Sequence, residues 1–416
     1  MATFNRIKQV SDHLIPVAKP APLTRVGVKD DDDIVIVSAV RTAITRARRG
    51  QFKDTPPEDL LAEVLKAILA RTGVDPNLVD DVCVGTALAP LGGAMTARQA
   101  CLYAGLPERS SAYTLNRQCS SGLQAVVSIA DSIRSGRITI GIGAGMESMS
   151  KHYNMNFEPS EKLASHPAAA DCLLPMGMTS ENVAEQFGIT REQQDRLAAE
   201  SHARAARAQR EGLFKDEIIP VTTTVLDKEG NPHTVEVTAD EGIREGTTVE
   251  SLGRLKPSFS KTGTTHAGNA SQVSDGAAAV LLMKRKTAHL LKLPVQGKLV
   301  SSAVVGVPPR IMGIGPAYAI PKACELAGIS VKDVDVFELN EAFASQATFC
   351  IQKLGLDPAK VNPKGGAIAL GHPLGCTGSR LIATILPELK RQGKTIGAVT
   401  MCIGTGMGMC AIIERE

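Results

Sequence analysis

Apolar positions along the chain fall into two alternating rhythms. Ile34 to Val37 and Val82 to Gly85 are short apolar runs that suit strands buried on both faces. Leu60, Leu61, Val64, Leu65, Ile68 and Leu69 repeat instead at helical spacing, opened by Pro56-Pro57-Glu58-Asp59 and closed by Gly73. A further helix is predicted from Leu123 to Ile133, with Ser120 or Ser121 as its cap and Gly136 as its stop. It leads into the strand Ile138 to Ile142 and then Gly143-Ala144-Gly145-Met146-Glu147-Ser148. Strands alternating with helices of this length predict βαβ units, hence an α/β fold with a largely parallel sheet.

From about residue 156 to 270 the pattern turns more polar. Thr190-x-x-Gln193 reads as a capping box for a long Ala-, Arg- and Glu-rich helix ending near Gly212. Residues 218–226 and 233–238 read as a hairpin across Lys228-Glu229-Gly230-Asn231. After residue 296 the first rhythm returns. Cys376-Thr377-Gly378-Ser379, an apolar-periodic run through Leu389, Gln392-Gly393-Lys394 and the strand Ile396 to Thr400 repeat the order and spacing of the Cys119 segment. An internal duplication follows, with Pro387 predicting a kink or an early helix end. The organisation expected is a leader and flexible connector over 1–32, a first α/β domain over 33–155 and 271–296, an inserted α+β domain over 156–270, and a second α/β domain over 297–416.

Composition excludes several classes. The chain has 416 residues, and 46 basic against 43 acidic side chains give no field suited to nucleic acid. Glycine is abundant and tryptophan absent, which fits glycine turns better than a base-stacking platform. Nine cysteines without a Cys-x-x-Cys pair argue against a disulfide framework and against zinc, and for a reducing compartment. No apolar stretch is long enough to span a membrane.

Against that background, Asn116-Arg117-Gln118-Cys119-Ser120-Ser121-Gly122 places a cysteine at a helix N-terminus, where the dipole favours a thiolate. In the second copy, Asn340-Glu341-Ala342-Phe343 follows a strand over 335–339. Gly371-His372-Pro373 sits in a loop crowded with glycine, and Cys402-Ile403-Gly404-Thr405-Gly406 ends an apolar strand. Taken singly each also fits a plain role: Cys119 a buried thiol, His372 a hydrogen-bonded loop histidine, Cys402 a packed thiol, Asn340 a helix cap. At corresponding ends of duplicated units they fit a Cys–His–Cys site better.

These four blocks, in order and without large gaps from about residue 33 to the C-terminus, resemble the signature blocks of the thiolases. The resemblance implies a thiolase fold, two duplicated α/β domains in a five-layered α-β-α-β-α core with an inserted loop domain. It also implies CoA-dependent cleavage of a 3-ketoacyl-CoA. Cys119 would attack the keto carbon, His372 would deprotonate it, and Cys402 would protonate the departing acetyl-CoA enolate and then activate CoA. Asn340 would hold a water at the enolate, with the backbone N–H groups of Cys119 and Gly404 at the acyl carbonyl. Coenzyme A would be co-substrate, with no permanently bound cofactor or metal. By the same resemblance Arg244, Ser251, Ala267 and Ser271 would contact CoA, and Met176, Ala342 and Phe343 would line the pantetheine and acyl route. Pro175 stands where short-chain members carry His, which favours the degradative, broad chain-length class. A homodimer is implied as well.

Two readings lie outside that core. Arg6-Ile7, five residues, then His13-Leu14 resembles an N-terminal peroxisomal targeting signal read by an import receptor, with an ordinary terminus or a mitochondrial address as alternatives. Cys172, just before Leu173-Leu174-Pro175-Met176, is either a packed thiol or a partner for a reversible Cys119 disulfide under peroxide. The rival functions are a decarboxylating condensing enzyme on the same fold, a short-chain member running the Claisen condensation, and a non-catalytic acyl-CoA or lipid carrier. Retention of Cys119, His372 and Cys402 together argues against the carrier.

Overall fold

The computed structural model describes residues 24–153 and 159–416. Four strands and their helices recur in the two halves. In the first, β1 (Ile34–Arg41) and the two-residue β2 (Thr45–Arg46) precede helix α1 (Pro57–Thr72) and β3 (Asp81–Gly85). Helix α2 (Ala94–Tyr103), β4 (Ser111–Leu115), helix α3 (Ser121–Arg134) and β5 (Ile140–Ser148) follow. An insertion then carries helices α4 (Met176–Phe187) and α5 (Arg191–Arg210) and the antiparallel hairpin β6 (Val221–Leu226) and β7 (Pro232–Val237). Strand β8 (Ser274–Lys284) closes the first half. The second half comprises β9 (Gly297–Gly306), α6 (Gly315–Ala327), β10 (Val336–Leu339), α7 (Ala344–Leu354), α8 (Leu374–Arg391), β11 (Ile396–Ile403) and β12 (Met407–Arg415).

The strand order β3-β5-β8-β1 in one half matches β10-β11-β12-β9 in the other, and β1 meets β9 through two residue pairs, Val35 with Lys298 and Ile36 with Gly297. The expected largely parallel sheet is in fact mixed. Strand β3 runs parallel to β4 and β5, and β10 to β11, but β8 and β12 are antiparallel to their neighbours. Connectivity explains this. Strands β11 and β12 are joined by a tight turn over Gly404-Thr405-Gly406, and in the first half the whole insertion occupies the corresponding place between β5 and β8. The insertion therefore grows from the site equivalent to that turn.

Period-two alternation builds the layers. Val35 and Val37 face α1 with Leu60, Leu61 and Leu65, while Ile34 and Ile36 face α3 and α8. On β12, Met409, Ala411 and Ile413 face the same central helices, and Cys410 and Ile412 face α6 and α7. Five layers result, α-β-α-β-α, with α3 and α8 in the middle.

Three local expectations change. Neither serine hydroxyl caps α3: Ser120 donates to the Arg117 carbonyl, and Ser121 donates to that of Gln118. Helix α8 passes through Pro387 without ending, because Gly375 to Leu386 are almost wholly enclosed and packing outweighs the missing hydrogen bond. Residues 24–32, read as part of a flexible connector, are largely exposed but tethered to the second half. The Gly27 N–H donates to the Glu414 carboxylate at 2.9 Å, and the buried Lys298 ammonium donates to the Arg25 carbonyl at 2.8 Å. A buried ammonium needs such partners. Among the described residues no helix is long and apolar enough to cross a membrane.

Candidate active site

Cys119 stands between the end of β4 and the start of α3. Asn116 Oδ1 accepts from the Gln118 N–H at 2.8 Å, and Gln118 takes a positive φ of 49°, so the chain turns sharply before the cysteine. Glycine then lets the two central helices meet at their N-termini. A β-carbon on Gly378 of α8 would lie 2.1 Å from the backbone nitrogen of Leu123 in α3. A β-carbon on Gly122, three residues after Cys119, would likewise lie 2.6 Å from the carbonyl oxygen of Gly375, three residues after His372.

His372 is fixed from three directions. Its backbone N–H donates to the Gln272 carbonyl at 3.0 Å, and Gly371 before it takes φ 107°, a conformation open to glycine. The Thr377 hydroxyl donates its one proton to the Pro373 carbonyl at 3.0 Å, so its contact of 2.6 Å with His372 Nδ1 requires Nδ1 to be the donor. This assigns the tautomer and leaves Nε2 with a lone pair, toward which Asn340 Nδ2 donates at 3.3 Å. Burial, with Arg380 nearby, pushes the imidazole down to about 3, so it is neutral at neutral pH. Asn340 sits in the turn between β10 and α7 rather than at a helix start, its N–H bonded to the Thr400 carbonyl and its Oδ1 without a protein partner.

Cys402, fully buried at the end of β11, packs with Met312, Ala342 and Phe343. Burial raises its thiol well above 9, and Cys119 and Cys350 add to the effect. Two residues on, the Gly404 N–H donates to the Cys119 sulfur. The expected cheap thiolate at Cys119 is not the resting form. Burial pushes this thiol up to about 11, outweighing the Gly404 and Cys119 N–H groups, with Glu147 adding a small like-charge effect. Desolvation exceeds the helix dipole here.

The remaining predicted contacts divide into two groups. Residues 269–271 run beside 342–344, with the Ser271 N–H on the Ala342 carbonyl at 3.0 Å and Ala270 bridged to Phe343, so Ser271, Ala342 and Phe343 border the Cys402 cluster. Met176 joins them, its sulfur 3.6 Å from where a β-carbon on Gly404 would stand. Arg244, Ser251 and Ala267 are exposed on the insertion. The Ser251 hydroxyl donates to the Thr248 carbonyl in a capping box, and the Arg244 backbone N–H donates to His202 Nδ1. Cys172 lies with its sulfur 3.9 Å from the Thr405 carbonyl, against the same turn. Arg6, Ile7, His13 and Leu14 lie outside the described residues.

Sequence reasoning missed three supports. Thr377 fixes the histidine tautomer. Glu341, buried, accepts from Ser201, Asn362 and the Ile368 N–H and so ties down the His372 loop. Glu147 accepts from the N–H groups of Ala87, Leu88 and Gly375, joining the two halves beside Cys119. Glu341 and Glu147 stood inside conspicuous motifs, and Thr377 lies five residues after His372. Among the described residues no three His, Cys, Asp or Glu side chains converge as a metal site.

Comparison with known proteins bears on this geometry. The family description "Thiolase, N-terminal domain" matches residues 34–286, and "Thiolase, C-terminal domain" matches residues 293–415. The chain is 57% identical over 384 residues to the human peroxisomal 3-ketoacyl-CoA thiolase, covering 92% of this chain and 91% of that one. It is 54% identical over 396 residues to the peroxisomal 3-ketoacyl-CoA thiolase of Yarrowia lipolytica, covering 95% and 96%. The crystal structure of the dimeric peroxisomal thiolase of Saccharomyces cerevisiae superposes with a TM-score of 0.87 at 50% identity, covering 94% of this chain and 99% of that one.

Proposed function

Because the chain belongs to the thiolase family, we propose that Cys119, His372, Cys402 and Asn340 carry out CoA-dependent cleavage of a 3-ketoacyl-CoA to acetyl-CoA and a chain-shortened acyl-CoA. The protein is an acyltransferase of fatty-acid β-oxidation in the peroxisome, in keeping with its identity to peroxisomal relatives across nearly their whole length. The observations that support the role assignment are the Gly404 N–H on the Cys119 sulfur, the electrostatic reach of Cys119 to the buried Cys402 thiol, and the His372 Nε2 lone pair held on Asn340.

The resting pair is neutral thiol and neutral imidazole, so the proton leaves Cys119 for His372 Nε2 as sulfur attacks the keto carbon. The N–H groups of Cys119 and Gly404 supply the donors for the oxyanion that forms. Breakage of the C2–C3 bond releases an enolate. The newly protonated Nε2 and a water oriented by the free Asn340 Oδ1 face its oxygen, and the Cys402 thiol protonates its carbon. Acetyl-CoA departs, leaving a thioester on Cys119. The Cys402 thiolate, a strong base because its pKa is raised, takes the proton of incoming CoA, whose sulfur attacks the thioester. Cys119 leaves as His372 returns its proton. Thioester replaces thioester, so no step needs an external energy source.

CoA enters as co-substrate over Ser271, Met176, Ala342 and Phe343, with Arg244, Ser251 and Ala267 toward its nucleotide end. Pro175, the cap residue before α4, supports the broad chain-length reading. A homodimer accounts for the open edge at β4 and for exposed Leu91, Met95, Tyr103 and Tyr113 near it. The import receptor would read Arg6, Ile7, His13 and Leu14. The test is thiolysis of 3-ketoacyl-CoA from short to long chains, with Cys119→Ala alongside. Turnover of long chains that vanishes in the variant supports the reading. Turnover restricted to acetoacetyl-CoA would move it to the short-chain class, and binding without turnover would replace it with a carrier.

A further inference from the structure

Helix α5 carries a buried carboxylate, on the coenzyme side, that the mechanism above does not use. Asp195, His266 and Asn269 are all buried. Asp195 Oδ1 accepts from His266 Nε2 at 2.7 Å and from Asn269 Nδ2 at 2.9 Å, and its Oδ2 accepts from Arg191 Nε at 2.8 Å. The Gly268 N–H donates to His266 Nδ1 at 3.0 Å, which puts the imidazole proton on Nε2 and aims it at Asp195. Arg191 carries the connection further. Its Nη2 donates to the carbonyls of Leu252 and Leu255, both at 2.9 Å. One carboxylate thus holds two walls, the loop 264–269 and the short helix Val249–Gly253 with the residues just after it. The walls touch: a β-carbon on Gly268 would stand 2.6 Å from Leu252 Cδ2 and 2.8 Å from Leu255 Cδ1. Burial opposes charge on Asp195, but the bonds from His266, Arg191 and Asn269 hold its carboxyl below the usual range, so it is ionised at neutral pH.

We propose that Asp195 is a positioning residue for coenzyme A, fixing Ala267 on one wall and Ser251 on the other at the spacing that the nucleotide end requires. This deepens the reading given above and rests on it. The pantetheine end has separate anchors. The Ala344 N–H donates to the Asn269 carbonyl at 2.9 Å, and the Ser271 N–H to that of Ala342 at 3.0 Å, so Ser271 is tied to the second half by backbone. The other end of the loop is held by Glu181 of α4, which accepts from the N–H groups of Thr264 and Thr265. Between those ends, the placing of Ala267 depends on the ring of His266 and the amide of Asn269, and both end on Asp195. The base is held independently. Ser201, six residues along α5, donates to Glu341 at 2.7 Å and accepts from the Gly366 N–H at 3.0 Å. Loss of the Asp195 charge therefore loosens coenzyme binding and leaves Cys119 and His372 in place.

The experiment is steady-state thiolysis by the parent, Asp195→Asn and Arg191→Met with two substrate pairs. One is a 3-ketoacyl-CoA with CoA; the other is the 3-ketoacyl-pantetheine thioester with pantetheine, which lacks the nucleotide. Asparagine offers one acceptor oxygen to three converging donors and turns its NH2 toward at least one of them, so a wall comes loose. In D195N, KM for CoA and for the 3-ketoacyl-CoA should rise about tenfold, the loss of one hydrogen bond to a charged group. Both kcat and the KM values of the pantetheine pair should hold. R191M cuts only the tie to Leu252 and Leu255, on a partly exposed side chain, and should raise the same two KM values by less. A merely structural role would lower kcat or raise KM for both pairs alike, and either result overturns the proposal. Should D195N fail to fold, R191M decides, and a parent-like KM for CoA in that variant overturns the proposal too. Failure of the underlying reading looks different: no thiolysis in the parent overturns the activity, and equal parent KM values for the two pairs overturn the nucleotide-end contacts.

Discussion

The Thr377 hydroxyl makes a hydrogen bond whose loss has a calculable consequence. Thr377→Val keeps the shape of the side chain and removes the acceptor 2.6 Å from His372 Nδ1, in a region where both residues are buried. If the proton stays on Nδ1, a buried donor goes unsatisfied at about 1–3 kcal/mol. If it moves to Nε2 it meets Asn340 Nδ2 donor to donor, and Nε2 loses the lone pair that accepts from Cys119. Either way the base is disabled by an amount that converts to roughly a five- to 150-fold loss in kcat/KM at 1.36 kcal/mol per tenfold. The assay is loss of 3-ketoacyl-CoA on addition of CoA, with KM expected to hold because Thr377 lies beneath the imidazole. Thr377→Ser restores the acceptor and should recover most of the rate. A Thr377→Val enzyme as active as the parent would refute the tautomer argument, and with it the role of Nε2.

Cys402→Ala removes the proton donor for the enolate carbon and the base for CoA, so kcat should fall about 10²- to 10⁴-fold in steady-state thiolysis while iodoacetamide still alkylates Cys119. Gly378→Ala would place its β-carbon 2.1 Å from the Leu123 backbone. It should cost about 1–3 kcal/mol in thermal or chemical unfolding and lower kcat too, because α3 carries Cys119. Stability should also depend on pH through buried neutral histidines. Burial lowers His202 to about 4 and His372 to about 3, so the unfolded chain protonates first as pH falls below about 6.5 and stability is lost. From pH 7 to about pH 5 each contributes a loss of about 2 kcal/mol, and His202→Gln should remove about half of the combined drop in denaturant titrations.

The sequence carried the duplication because repeated spacing survives in side chains: the Cys119 and Cys376 segments became the equivalent elements α3 with β5 and α8 with β11. Strand direction was not legible. An apolar run reads the same whether its neighbour arrives through a helix or through a turn, so the antiparallel β8 and β12 were missed. Capping at Ser120 and Ser121 was misread because their hydroxyls found carbonyls of the preceding turn instead. The thiol pKa at Cys119 was misjudged for a deeper reason: a helix N-terminus is visible in sequence, whereas the desolvation opposing it depends on every neighbour. The same holds for Glu338 and Arg380, 42 residues apart in sequence and 3.8 Å apart in space.

The most direct test of the account is to locate the acyl group. Trypsin cuts after Arg117 and Arg134, releasing a peptide from Gln118 to Arg134 with Cys119 as its one cysteine. After incubation with a 3-ketoacyl-CoA without CoA and acid quenching, mass spectrometry should find the chain-shortened acyl group on that peptide. The adduct should disappear when CoA is added before the quench, and should not form in Cys119→Ala. An acyl group on any other cysteine peptide, or turnover in the parent with Gln118–Arg134 unmodified at every time point, would contradict the account.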